Sequence, residues 1–206
     1  MRDVSGVLLA GGKSRRMGRD KRFLQLGGES LVRRVLSVYE RLFTDILIVV
    51  AEPVQELSGM EHRIVTDLIP HCAALGGLYT GLSLARHRRI FAAACDMPFL
   101  NAAIIEHLLG YDDGDVVMPK LTTGLQPMHA VYAKTCLPYF KLMMANHNLS
   151  IQSVLDNHDL RARLVEEDAL KVFDPQLVSF LNLNTPADAE LARHIINRGR
   201  HSGDAQ

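Results

Sequence analysis

The sequence is poor in the features that announce a long partner or a special compartment. It has three cysteines in 206 residues, Cys72, Cys95 and Cys136, with no C-x-x-C pair and one left over. That argues against a disulfide framework and a structural zinc and fits a reducing compartment. Net charge is absent: 23 basic residues balance 23 acidic ones, so no general attraction to nucleic acid or to a membrane surface is expected. The nine histidines show no metal-ligand spacing such as H-x-x-x-H. No apolar run is long enough to span a bilayer, and the chain enters a strand almost at once without an apolar signal region, so a cytoplasmic protein is expected. Repeats, low-complexity segments and linkers are missing too. One domain over residues 1–200 is expected, with a disordered polar tail at 201–206. No Ser–His–Asp, Cys–His or paired-glutamate arrangement is supported by spacing.

What the sequence does have is a first loop. The uncharged run Val4 to Leu9 reads as a buried strand. It leads into a stretch, Gly11 to Lys21, that packs three glycines and five basic residues into eleven positions. Glycines let main-chain N–H groups approach a ligand with no Cβ in the way, and basic side chains beside such groups make a site for a polyanion, most simply a nucleoside triphosphate. The plainer alternative is a glycine-rich turn with a solvated basic face. Two familiar phosphate motifs fail here. A Walker A loop ending at Gly12-Lys13-Ser14 would need glycine at position 7, which is Val7. The dinucleotide pattern G-x-G-x-x-G is absent, because Gly11 and Gly12 are adjacent and the next glycine is Gly18.

Downstream, apolar runs alternate with amphipathic ones. Arg22 to Leu26 reads as a short extended piece, and Ser30 can cap a helix from Leu31 to about Phe43. Ile46 to Val50 and Arg63 to Asp67 read as strands. A helix is expected from Leu78 to about His87, with Gly76-Gly77 as close packing at its start or part of a site. Ile90 to Cys95 is a fourth buried strand that ends in Asp96-Met97-Pro98, and Asn101 can cap a helix Ala102 to Leu109. A carboxylate at the carboxyl end of a central strand lies where open α/β sheets bind ligands. The alternation predicts an α/β fold with a mostly parallel central sheet and helices on both faces.

After Asp115 to Met118 the pattern changes. Lys120 to Gln126 reads as a polar loop and Met128 to Ala133 as an extended run. Leu137 to Ala145 reads as helical, and a further helix ends near Asn157. Leu164 to Glu166 and Lys171 to Phe173 look extended. Residues 119–180 are therefore read as an insertion over the carboxyl edge of the sheet that carries acceptor contacts. Asn182 and Asn184, two apart in an extended segment, should share one face and look toward a polar site. A last amphipathic helix runs from Ala187 to about Asn197.

Leu9-Ala10-Gly11-Gly12-Lys13-Ser14-Arg15-Arg16-Met17-Gly18-Arg19-Asp20-Lys21 resembles the signature L-A-G-G-x-S-x-R-M-G-x-D-K of the molybdenum cofactor guanylyltransferases, in the wider nucleotidyltransferase superfamily of sugar-nucleotide pyrophosphorylases. Cys95-Asp96-Met97-Pro98 resembles that family's metal-binding aspartate motif. Phe180-Leu181-Asn182-Leu183-Asn184-Thr185-Pro186 matches its F-x-N-x-N-T-P block, and Gln126-Pro127-Met128-His129 its Q-P-L segment. The resemblance covers nearly the whole chain. It implies a Rossmann-like nucleotidyltransferase fold and Mg²⁺-dependent transfer of GMP from GTP to the terminal phosphate of Mo-molybdopterin. It departs in two places. Ala73-Ala74-Leu75-Gly76-Gly77 stands where the family has Gly-Pro-Leu-x-Gly, and Ala51-Glu52-Pro53 lacks an asparagine often found there.

A basic glycine loop, carboxylates at two strand ends and a late asparagine pair suit nucleotidyl transfer. An anionic phosphate needs no strong general base, so positioning, Mg²⁺ and cationic side chains are the expected tools. On that basis the backbone of Leu9, Ala10, Gly11 and Gly12 holds base and phosphates, the resemblance giving base recognition to Leu9-Ala10-Gly11. Lys21 and Arg16 neutralise phosphates, while Lys13 and Arg19 are solvated. Asp96 binds Mg²⁺. The resemblance makes Asp67 a GTP-site aspartate, through ribose or guanine N–H donors. Asn182 and Asn184 orient the acceptor or complete the metal shell, and Gln126 and His129 are further acceptor-side candidates. Expected partners are GTP, Mo-molybdopterin and, transiently, the proteins that make and receive the cofactor. The alternatives are a cytidylyl- or sugar-1-phosphate nucleotidyltransferase of the same fold, or a non-catalytic nucleotide-binding relative.

Overall fold

The structure is a computed structural model that describes residues 3–11 and 20–203. Strand β1 (Val4–Leu9) is buried along its whole length. A 3₁₀ turn at Lys21–Phe23 follows the first loop and leads into a two-stranded ribbon, β2 (Gln25–Leu26) and β3 (Glu29–Ser30). Then come α1 (Leu31–Leu42), β4 (Ile46–Val50), β5 (Arg63–Thr66), α2 (Ala73–Leu84), β6 (Arg89–Ala94) and α3 (Ala102–Leu109). The later half adds β7 (Val116–Leu121), β8 (Gly124–Leu125), β9 (His129–Ala133), α4 (Leu137–Ala145), β10 (Ala162–Glu166), α5 (Glu167–Lys171) and α6 (Pro186–Gly203).

The main sheet has the order β10-β7-β9-β6-β1-β4-β5, with β8 folded back on β7. Pairings β1–β4, β1–β6, β4–β5 and β7–β10 are parallel, whereas β9 runs antiparallel to both β6 and β7. The sheet is mostly parallel and covered on both faces, as expected. Side chains alternate accordingly, since successive strand residues point to opposite faces. Leu8, Ile48 and Phe91 join α1 and α3 in one core, while Val7, Val49 and Ala92 join α2 and α4 in the other.

Several local expectations are corrected. Helix α2 begins at Ala73, five residues before the predicted Leu78. Glycine is tolerated inside it because the helix lies close against β1: a Cβ on Gly81 would meet Val7 Cγ1 at 2.4 Å and one on Gly77 would meet Leu9 Cδ2 at 3.1 Å. Residues 120–126 are not an open loop. Strand β7 continues to Leu121 and returns through a hairpin whose Gly124 has φ +123°, a conformation that favours glycine. Residues 151–156 form a 3₁₀ helix, and Lys171 ends a helix rather than starting an extended piece. Helix α6 runs through Gly203, so residues 201–203, expected in a disordered tail, are helical. The segment 119–180 is not simply laid over the sheet, because β9 is inserted between β6 and β7 as part of it.

Candidate active site

The carboxyl ends of β1, β4, β5 and β6 lie side by side, and the sequence candidates gather there. Ala10 is fully buried, its N–H donates to Val49 O at 2.8 Å, and Cys95 N–H donates to Leu9 O at 3.1 Å. Between these strand ends and the start of α2 is a cavity of about 500 Å³. Its walls include Leu9, Gly11, Val49, Asp67, Ala94 and Met128. Gly77 keeps it open: a Cβ there would lie 3.5 Å from Asp67 Oδ1. Burial raises the Asp67 carboxyl above its ordinary range. Ala51, at the position where the resemblance leads one to look for asparagine, contributes only a methyl group to the wall.

His71, Ala73 and Ala74 also line this cavity, and sequence reasoning gave them no contact. His71 has φ +64° and Ala73 has φ +49°. Left-handed backbone at residues with a Cβ leaves no mark in composition or spacing. The one usable signal is that Ala73 stands where the resembled motif has glycine.

A second group forms around Asp96, and packing explains how. A small apolar cluster, Leu26, Leu31, Leu183 and Ala192, docks α6 on the β2–β3 ribbon. The Leu183 N–H donates to Asp96 O at 2.9 Å, tying the segment before α6 to the end of β6. Lys21 Nζ then donates to Asn184 Oδ1 at 3.3 Å, although the two are 163 residues apart in sequence. Burial pushes the Asp96 carboxyl above the usual carboxylate range, and the nearby Lys21 ammonium pulls it partly back. Asp96 Oδ1 is buried with no hydrogen-bond partner among the described residues.

Asn182 and Asn184 do not share one neighbourhood. Asn184 meets Lys21, whereas Asn182 Nδ2 donates to Phe180 O at 3.4 Å and borders a separate cleft of about 490 Å³. Gln126 borders the same cleft, along with Leu181, Leu191 and Ile195. Residues 181–184 follow the 3₁₀ turn Val178–Phe180 without forming a strand, so no sheet pairing fixes the shared face that the spacing predicted. His129 is corrected as well. Its ring is fully buried, 4.5 Å from Phe180 and 5.2 Å from Phe91 between centroids, so it belongs to the core. Arg16 and Gly12, with Lys13 and Arg19, lie outside the described residues. Among the described residues no group of three or more His, Cys, Asp or Glu side chains is placed to hold a metal. No helix among them is long and apolar enough to cross a membrane.

Comparison with known proteins narrows the class. The chain is 37% identical to the molybdenum cofactor guanylyltransferase of Desulfosudis oleivorans over 97% of its own length and 98% of that protein. It is 34% identical to a probable molybdenum cofactor guanylyltransferase of Pelotomaculum thermopropionicum, over 97% of each chain. Among solved structures it resembles molybdopterin-guanine dinucleotide biosynthesis protein A from Archaeoglobus fulgidus, with a TM-score of 0.83, 27% identity and coverage of 95% of this chain and 100% of that one. Fold and relatives together make the protein a nucleotidyltransferase. More narrowly, residues 6–162 match the family model described as a MobA-like NTP transferase domain, and the chain belongs to that family.

Proposed function

We propose that the protein transfers GMP from GTP to the terminal phosphate of Mo-molybdopterin, giving molybdopterin guanine dinucleotide and pyrophosphate. The observation that carries this reading is the buried Asp96 oxygen, unpartnered among the described residues and beside Lys21, two residues beyond Ala94 at the end of β6, which lines the cavity of about 500 Å³. In the reaction an acceptor phosphate oxygen bonds to the α-phosphorus of GTP, the bond from that phosphorus to the bridging oxygen breaks, and pyrophosphate leaves. The barrier is mainly electrostatic, because two anions must meet.

The roles follow from chemistry and surroundings. Leu9, Val49 and Gly77 accept the flat apolar faces of the base, and the Asp67 carboxylate suits the N–H donors of guanine. Lys21 neutralises phosphate charge, and Asn184 holds its ammonium. Asp96 suits Mg²⁺, which takes one or two carboxylates and fills its shell with phosphate oxygens and water. A single carboxylate with a buried oxygen unpartnered among the described residues fits that demand, and Mg²⁺ held by Asp96 would supply positive charge beside the phosphates. Arg16 and Gly12 complete the phosphate side. Gln126, with Asn182 just beyond the segment, borders the second cleft and takes the acceptor, so the segment 119–180 forms the acceptor side of one catalytic domain.

Calorimetric titration with GTP, CTP and dTTP, each with Mg²⁺, tests the reading. Preference for GTP is the expected result. Preference for CTP moves the protein to cytidylyl transfer on the same fold, and no binding of any of them overturns the nucleotide site.

A further inference from the structure

Arg22 has no part in the roles above, yet its side chain makes several polar contacts with the described residues that flank the first loop. Its Nη1 donates to the Ala10 carbonyl at 2.9 Å, at the entry to the loop. At the exit, its Nε donates to Asp20 Oδ1 and Oδ2 at 2.8 and 2.9 Å, and its Nη2 forms a close ion pair with Asp20. The Arg22 backbone N–H also donates to Asp20 Oδ1, at 3.0 Å, which caps the 3₁₀ turn Lys21–Phe23. The guanidinium carbon sits 5.8 Å from the Phe23 ring centroid, and the side chain is only 16% exposed. Burial would raise the Asp20 carboxyl, but the hydrogen bonds and charge of Arg22 hold it below its ordinary value.

An exposed pair two residues apart contributes little. The contact to Ala10 sets this one apart, because it spans the loop: residues 10 and 22 are joined by one planar group. Ala10 is itself anchored to β4, so the exit of the loop is referenced to the sheet. Lys21 lies between Asp20 and Arg22, and its ammonium reaches Asn184 from that fixed frame.

We propose that Arg22 and Asp20 form a clasp between Ala10, just past β1, and the start of the 3₁₀ turn Lys21–Phe23, and act as positioning residues for Lys21. This rests on the reading that the site binds a nucleoside triphosphate. The fork geometry of arginine is essential to it, since a lysine ammonium cannot face the Ala10 carbonyl and both Asp20 oxygens in one plane.

Arg22→Gln and Arg22→Lys, in the full chain, test the clasp by titration with GTP·Mg²⁺ and with guanosine, followed by ligand-observed NMR and calorimetry. Guanosine has the base and ribose but no phosphates. Both variants are expected to bind GTP about tenfold more weakly, about 1.4 kcal/mol, while guanosine binding stays at the wild-type level. Asp20→Asn combined with Arg22→Gln is expected to lose no more than Arg22→Gln alone, because the two act as one unit. Equal weakening of GTP and guanosine, wild-type GTP affinity in Arg22→Gln, or full rescue by Arg22→Lys would overturn the clasp and leave the nucleotide site standing. A wild-type protein that binds neither probe overturns the nucleotide site and the clasp with it.

Discussion

The two ends of the parallel strands treat their carboxylates in opposite ways. At the amino-terminal end, Asp45 precedes β4 and is only 3% exposed, yet it is fully engaged. It accepts from Ser5 Oγ at 2.7 Å, Arg63 Nη1 at 2.9 Å and the Arg86 N–H at 2.9 Å. Asp115, before β7, accepts from Thr135 Oγ1 at 2.6 Å and from the Arg161 N–H at 2.9 Å. Burial would raise both carboxyls, but these donors outweigh it and hold them below the ordinary value. At the carboxyl end Asp67 and Asp96 are raised by burial, and no donor among the described residues reaches the Asp67 carboxylate or Asp96 Oδ1. One end is satisfied by the protein itself. The other keeps acceptors that no described residue satisfies, as a site for donors or cations brought by a ligand requires.

The largest effects should separate those two ends. Asp45→Ala leaves the Ser5 hydroxyl, the Arg86 N–H and Arg63 Nη1 without their acceptor and should lower stability by about 1–3 kcal/mol, with turnover per folded molecule retained. Asp96→Asn should do the reverse. Its raised carboxyl means that the unfolded chain ionises more readily than the folded one, so above the ordinary carboxylate pKa the group opposes folding. Its removal should leave the ligand-free melting temperature unchanged or higher, while kcat falls about 100- to 1,000-fold. Urea denaturation and steady-state kinetics on both variants check this. Loss of stability in Asp96→Asn, or loss of turnover in Asp45→Ala, would break the contrast.

A smaller effect is expected from His129, a buried polar side chain in the core. Neither ring nitrogen finds a hydrogen bond among the described residues, and burial pushes the imidazole down to about 3, with Asp174 opposing weakly. The folded-state value is depressed from 6.5, so the unfolded chain binds the extra proton and stability falls as pH drops below 6.5. Between pH 7 and pH 5 this amounts to about 2 kcal/mol. His129→Leu should remove that portion of the acid sensitivity. Parallel slopes for the two proteins across this window would show that the buried imidazole is not the source.

The sequence was most legible where burial on both faces leaves an uninterrupted apolar run. Ile46 to Val50 is observed as predicted, and Asn101 caps α3 through the Ala103 N–H at 2.8 Å. Asp96 was legible for a related reason, since the end of such a run marks the edge of the sheet. Lys21 and Asn184 were each legible as candidates, but their contact depends on α6 docking against the β2–β3 ribbon, which no local pattern encodes. The start of α2 was misplaced because Gly76-Gly77 looks like a breaker. Inside the fold the pair clears space for Cys72, Leu9 and Asp67. Lys171 was misread although Glu167 and Asp168 open a helical turn and Lys171 closes it, the charge order that a helix dipole favours. The position of β9 within the sheet is a tertiary choice, and its alternation of His129 and Val131 with Ala130 and Tyr132 would have fitted an edge strand equally well.

The smallest expected effect concerns Ala73, on the wall of the cavity at the open end. At φ +49° its Cβ crowds the backbone, and left-handed geometry costs a residue with a side chain about 1–2 kcal/mol relative to the right-handed form. Glycine would relieve that strain but give the unfolded chain more freedom, a loss of about 0.4–1 kcal/mol. The balance predicts that Ala73→Gly is stabilising by roughly 0.5–1 kcal/mol. The same exchange at Ala85, where the backbone has φ −60°, offers no strain to relieve and should be destabilising. The pair of variants therefore reads backbone strain without changing any polar group. If both exchanges lower the melting temperature alike, the start of α2 is unstrained and the departure from glycine at position 73 has no energetic consequence for the fold. If only Ala73→Gly raises it, the wall of the cavity holds conformational strain at the same end of the sheet that holds Asp67 and Asp96.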